Sequence, residues 1–257
     1  MERRGPLDAP SVMTGIYVAL LACGVGSVLG LERAALIVGG LLGWLVLAFV
    51  LTARPWVWVV LGRQRLLSVP MIAPFGPAIG LAIALQTGVV GDVWRTGLYV
   101  SVALTLLGIG IQVTGTSAYA RQAAGDRSIS WECRTDATRR RRKRLATWIV
   151  AIVAVLGLVA TVAFGLPSLV SVMAAGVAGG LWGSLGQRLT FDVCEHGLQR
   201  RQPGVGGIQF TPWEQFDSYR ETDGAVVLER RWWVDHRLAA DEVPGAARDA
   251  LEAAIDG

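Results

Sequence analysis

Residues 139–187 read RRRRKRLATWIVAIVAVLGLVATVAFGLPSLVSVMAAGVAGGLWGSLGQ. A run of cations, Arg139, Arg140, Arg141, Arg142, Lys143 and Arg144, stops at Leu145, and no charge follows until Arg188. A helix needs about 20 mostly apolar residues to cross about 30 Å of hydrocarbon. The uncharged stretch is too long for one such helix. Gly165, Leu166, Pro167 and Ser168 break it near the middle, so 145–187 reads as a transmembrane hairpin.

The same signal recurs upstream. Val12 to Leu29 and Ala34 to Ala53 are apolar and separated only by Gly30, Leu31, Glu32 and Arg33; a third segment lies within Leu66 to Gly91, and a fourth runs from Thr96 to Ala120. With 53% hydrophobic and 17% charged residues and a mean hydropathy of +0.47, the chain is too apolar for an ordinary soluble domain. The expected architecture is a four-helix transmembrane region over 1–120, a basic loop over 121–144, the hairpin over 145–187 and a small α+β domain over 188–257. That makes about six transmembrane helices.

Cytoplasmic loops accumulate Lys and Arg. With the N-terminus inside, the inner segments hold Arg3, Arg4, Arg54, Arg63, Arg65 and the basic loop, and the outer turns hold only Arg33 and Arg95. Both termini are therefore expected in the cytoplasm of a multi-pass protein of the cell membrane. Pro55 to Leu61, with Trp56 and Trp58, is too short to cross and reads as interfacial.

Charge separates the two expected cytoplasmic parts. Residues 121–144 carry nine cations against three acids, and 188–257 carry eight against thirteen. The net +4 thus hides one basic segment and one acidic domain, a pattern that speaks against nucleic-acid binding. The three cysteines, Cys23, Cys133 and Cys194, share no close spacing and suggest no disulfide framework.

The tail alternates like strands. Leu189 to His196 has period 2, Gly197 punctuates it, and a glycine-rich turn with Gly204, Gly206 and Gly207 leads to Ile208 to Phe210. Phe216 to Arg220 and Ala225 to Arg231 flank the turn at Glu221, Thr222, Asp223 and Gly224. Pro244 to Ile255 reads as a helix. The run Phe191 to Leu198, the glycine-rich turn, Ile208 to Phe210, and then Pro212, Trp213, Glu214, Gln215 and Phe216 resembles the small cytoplasmic PH-like domains of prokaryotic membrane proteins, including the YcxB-like family. In such proteins the domain follows a two-helix hairpin. The resemblance covers roughly 145–256 and implies a PH-like fold, which has seven strands and a helix; five strands are read here. It implies a location more than an activity, and makes Trp213 a buried anchor of the domain core.

Candidate chemistry is sparse. Cys194 and His196 lie two apart on one strand and with Cys133 and His236 form a weak zinc pattern, so no metal or cofactor is expected. There is no G-x-S-x-G, H-E-x-x-H or P-loop, and an enzyme is the least supported class. Leu20 to Cys23 resembles a lipoprotein processing site, but the apolar run continues through Leu29 and favours a span. Pro70, Pro74 and Pro77 either kink or start the third segment, or break it as transporters do. The pairs Gly26/Gly30, Gly39/Gly43, Gly176/Gly180 and Gly179/Gly183 are expected to let helices pack closely. Arg139 to Arg144 meet either anionic lipid headgroups or a purely topological need to hold a helix end inside. The leading expectation is a membrane-embedded adaptor, sensor or regulatory component contacting anionic lipids, or protein partners through 188–257. The alternative is a small permease built on the six spans.

Overall fold

The computed structural model describes residues 7–86, 88, 94–164, 168–183, 185, 187–202, 207–222, 224–231 and 234–256. The chain divides into two compact units, Met1–Gln122 and Ala123–Gly257.

In the first unit α1 (Ala9–Val28) and α2 (Arg33–Thr52) pack as a hairpin. Asp8 caps α1: its carboxylate accepts the Ser11 amide at 3.1 Å, and Pro10 in the first turn pre-sets φ. The same oxygen accepts the Thr52 hydroxyl at 3.2 Å, tying the start of α1 to the end of α2. Close approach uses glycine, since a Cβ on Gly15 would lie 2.7 Å from Trp44 and one on Gly40 would lie 2.8 Å from the Cys23 sulfur. Of the glycine pairs expected to pack, Gly26 presses on Leu36, whereas Gly39, Gly43, Gly176, Gly179, Gly180 and Gly183 meet nothing within 4 Å of an added Cβ.

The third segment is a series of short helices. α3 (Trp56–Arg63) is followed by a 3-10 turn at Leu66–Ser68, α4 (Val69–Ile72) and α5 (Phe75–Gln86). Trp56–Arg63 and Leu66–Ala82 meet at a 93° bend, at which Arg65 adopts φ 59, a left-handed conformation uncommon outside glycine. Pro70 lies in the first turn of α4, and the Pro74 carbonyl accepts the Ala78 amide at 3.0 Å, so these prolines open helices rather than interrupt one. Within the segment read as interfacial, Trp58 is 1% exposed and packed with Leu67 and Ala118, while Trp56 stays outside. α6 (Arg95–Ala123) buries Ser101, Leu104, Thr105, Gly108, Ile111 and Gly115, a stripe at three- and four-residue spacing.

Three described helices are long and apolar enough to cross a bilayer: Ala9–Ser27, Ala34–Thr52 and Arg95–Ala123, or four spans if the bent pair counts as one. They mark a membrane-associated protein. Exposed Ile37, Leu41, Val46 and Phe49 give α2 an apolar outer face that water would not tolerate.

The second unit begins with a difference from the expected basic loop. β1 (Arg127–Cys133) occupies its centre and pairs antiparallel with β2 (Leu189–Cys194), and α7 (Ala137–Phe164) starts before the cations rather than after them. Asp136 nucleates α7 by accepting the Thr138 amide at 3.2 Å on its carboxylate and the Arg140 amide at 3.0 Å on its carbonyl. Arg and Lys are good helix formers, so the cationic run continues the helix that Asp136 starts. α7 packs against α8 (Ser168–Gly183); the expected break at 165–167 lies outside the described residues.

The first sheet has the order β1-β2-β3-β4, with β3 at Gly197–Arg201 and β4 at Ile208–Pro212. The second has the order β5-β6-β7, at Phe216–Thr222, Ala225–Arg230 and His236–Ala239. An isolated bridge from Thr135 to Leu238 joins the two. α9 (Gly245–Asp256) lays Ala247 and Leu251, both 0% exposed, on a core with Trp131, Phe191, Val226 and Leu228. Seven strands are therefore described where five were read: β1 and β7 are the additions.

Candidate functional site

Because β1 and β2 are paired neighbours, the α7–α8 hairpin leaves and re-enters the sheet at one end, where Cys133 faces Leu189. A cavity of about 710 Å³ opens there. One wall is a single face of α7, Thr138, Arg139, Arg142, Lys143 and Ala146, which three- and four-residue spacing places together. Leu185, Gln187 and Leu189, from the return to β2, form the second wall. Arg200 and Gln202, from the end of β3, Val234 and Asp235, from the β6–β7 connection, and Arg237 of β7 complete it. A smaller adjoining cavity is lined by Arg140, Arg144, Trp182 and Leu185.

Cations dominate the cleft. Arg139 donates from Nη1 to the Asp235 carbonyl at 3.2 Å, Arg200 donates to the Gln209 side chain, and Arg237 pairs with Asp136 at 3.3 Å. The Arg140 Nε is buried with no hydrogen-bond partner among the described residues. Burial, then Arg139 and Arg230 nearby, push the half-buried Arg200 down to about 10. Lys143 is lowered by burial and then by Arg200 and Arg139. Beside this cluster His236, 7% exposed, is held down to about 3 by burial first and then by Arg200, Arg230 and Arg139. All of these shifts are downward: burial is the largest cause of each, and the neighbouring cations add to it.

The expected anion-binding run is thus divided by helical geometry. Arg139, Arg140, Arg142 and Lys143 line the main cleft, Arg144 lines only the side cavity, and Arg141 is exposed and lines neither. Arg200, Arg237 and the uncharged donors Gln187 and Gln202 escaped sequence reasoning. They come from strands and connections whose meeting with α7 has no local signature.

Trp213, expected as a buried anchor of the core, packs against that core from its edge. It is half-buried in a 3-10 turn at the β4–β5 corner, its Nε1 donating to the carbonyls of Cys194 at 3.1 Å and Glu195 at 3.2 Å and its ring 5.7 Å from that of Phe216. It pins a corner, while Trp131 and Phe191 fill the core. Cys194 is buried and His196 exposed, and no group of three or more His, Cys, Asp or Glu side chains suited to a metal occurs among the described residues.

No family model, curated protein or solved structure matches this chain. The cleft therefore stands on its own chemistry: a concave site of fixed positive charge at the root of an apolar helical hairpin, suited to holding an anion.

Proposed function

We propose that this protein spans the cell membrane six times, presents a PH-like domain at the cytoplasmic face and serves as an adaptor, sensor or regulatory component there. One observation carries the reading: α7 and α8 are inserted between two hydrogen-bonded strands, so a displacement of the hairpin acts directly on the sheet. Seven strands in sheets of four and three with a terminal helix support the PH-like assignment.

The hairpin supports the membrane assignment. Beyond Arg144 the outer surface of α7 is apolar through Leu145, Ile149, Ile152 and Leu156, all exposed in the chain by itself. Trp148 and Trp182 meet edge-to-face with centroids 5.4 Å apart, one turn past the last cation, which is the headgroup depth that tryptophan favours. The contacts proposed for the cytoplasmic side are anionic lipid and protein partners through 188–257.

The 93° bend at Arg65 favours the second reading, a small permease, because bent helices expose backbone groups to a solute. Against it, Glu, Asp, Lys, Arg and His are absent from the interiors of the expected spans.

The topology is tested with Glu214→Cys, an exposed position in the β domain. An impermeant thiol reagent is expected to label it only after cells are opened, the native Cys133 and Cys194 being buried. Labelling in sealed cells removes the cytoplasmic assignment.

A further inference from the structure

We propose that the cleft between α7, β3 and the β6–β7 connection is a binding site for a phosphate ester, gripped by Arg139, Arg142 and Arg200. The proposal deepens the sensor reading by naming the chemistry that the β domain would sense, and rests on that reading only where a lipid is the source.

The first argument is charge. Cations reach the cavity from α7, from β3 and from β7, whereas Asp235 is the one acid among its described lining residues. Arg237 is engaged by Asp136, and Asp235 accepts Arg139 on its backbone carbonyl. The Asp235 carboxylate, which accepts the Arg230 amide at 3.2 Å, offsets part of the Arg139 charge, leaving Arg142 and Arg200 without an acid beside them in the described lining. The residues that adjoin the lining segments in the sequence, 184, 186, 203–206 and 232–233, are Ser, Gly, Pro-Gly-Val-Gly and Trp-Trp, none of them acidic. Cations assembled this way repel one another, and packing alone would be served as well by apolar residues of similar volume. An anion turns that repulsion into binding.

The second argument is shape and donor type. Guanidinium groups offer paired, coplanar N–H donors that match phosphate oxygens two at a time. Arg139 and Arg200 stand on different elements and line one concave space with Thr138. Beside them the Gln202 amide donates to Gln187 at 2.8 Å and the Gln187 amide to the Gly183 carbonyl at 2.7 Å, each keeping a second N–H. Such an arrangement surrounds a ligand, whereas a cationic helix that only sets topology would present its charges to one flat surface.

The third argument concerns the source. The smaller cavity shares Arg140 and Leu185 with the cleft and is completed by Arg144 and by Trp182 of the apolar hairpin. A headgroup phosphate in the cleft thereby leaves its acyl chains on that hairpin, so a phospholipid with a terminal phosphate monoester meets both. A soluble phosphate ester meets the cleft alone.

The test uses the full chain in an uncharged detergent and follows its thermal midpoint against dioctanoyl phosphatidic acid, dioctanoyl phosphatidylcholine and glycerol 3-phosphate. Phosphatidic acid is expected to raise the midpoint and phosphatidylcholine to leave it unchanged. Arg200→Gln is expected to weaken the response at least tenfold; Arg142→Gln, at an exposed position, is expected to weaken it severalfold without risk to folding. Arg231→Gln removes an equal charge from an exposed pair with Asp217 outside the cleft and should leave the response intact. If glycerol 3-phosphate acts at the same concentrations as phosphatidic acid, the site stands and its ligand is a soluble ester. Equal responses to the two lipids, or equal loss in Arg231→Gln and Arg142→Gln, overturn the site. Thiol labelling of Glu214→Cys reports the topology independently: external labelling with binding intact removes the cytoplasmic assignment and leaves the cleft.

Discussion

Trp131 and Phe191 stack across the β1–β2 pair with ring centroids 5.7 Å apart and planes inclined by 22°, although the whole α7–α8 hairpin lies between them in the chain. Trp131 is 6% and Phe191 1% exposed, and both belong to the same core. The β domain is therefore a discontinuous unit whose first strand precedes the hairpin and whose other six follow it.

It follows that residues 188–257 alone should not fold. Without β1 the core lacks Trp131 and Cys133, and β2 becomes an unpaired edge. A chain joining 123–136 directly to 187–257 by a short turn should melt cooperatively in calorimetry, and 188–257 should not. In the full protein Trp131→Ala should cost about 3–5 kcal/mol, the range for large aromatics truncated in cores, and Trp213→Ala less, since that ring is half-buried.

Asp192 has a side chain with 0% exposure and is held by Arg201 through contacts of 2.7 and 3.1 Å, with Arg127 at 3.5 Å on its other oxygen. The two arginines are partly exposed and can turn to water, whereas the carboxylate cannot. Arg201→Met should therefore destabilise by up to about 3–5 kcal/mol, the cost of breaking a buried ion pair, since only the longer Arg127 contact then remains, and Asp192→Asn by less. Denaturant midpoints of the two variants settle the order, and the reverse order contradicts the argument.

His236 makes the β domain sensitive to acid. Its folded value of about 3 lies below the ordinary value of 6.5, because burial and then Arg200, Arg230 and Arg139 oppose a positive charge. Below pH 6.5 the unfolded chain takes up a proton that the folded chain refuses until about pH 3. Stability is thus unaffected by this group above pH 6.5 and falls as pH drops toward 3, by up to about 1.4 kcal/mol per unit. His236→Gln should flatten that part of the curve between pH 6.5 and 4.5 when melting is compared with the native chain; parallel curves would exclude the effect.

Gly108 of α6 lies against the backbone of α4, where an added Cβ would be 2.5 Å from the Met71 amide nitrogen and closer still to the Pro70 carbonyl oxygen. Backbone cannot yield as a side-chain tip can. Gly108→Ala should therefore destabilise the first unit by about 1–3 kcal/mol. Gly39→Ala, which meets nothing, should be neutral in the same detergent melt.

Much of the β domain was legible before any coordinates. Alternation in Leu189–Cys194, Gly224 at the turn between β5 and β6, and the four-residue spacing of Leu251 and Ile255 locate β2, the β5–β6 hairpin and α9 by period alone. β1 carried the same signal, since Ile129, Trp131 and Cys133 alternate with Ser128, Ser130 and Glu132. It was hidden because the surrounding arginines read as loop. β7 is only four residues long and too short for a period to emerge.

Apolar length and the placement of arginine determine, from sequence by itself, that this chain belongs with a membrane and that 145–187 contains paired helices, because hydrocarbon solvation acts on every residue of a long segment and sums along it. The cleft could not be read that way. Arg139 and Arg200 meet because antiparallel pairing of β1 with β2 returns the hairpin to its starting point beside β3. That convergence depends on which distant strands pair, so only the tertiary structure turns a cationic run and scattered arginines into one site.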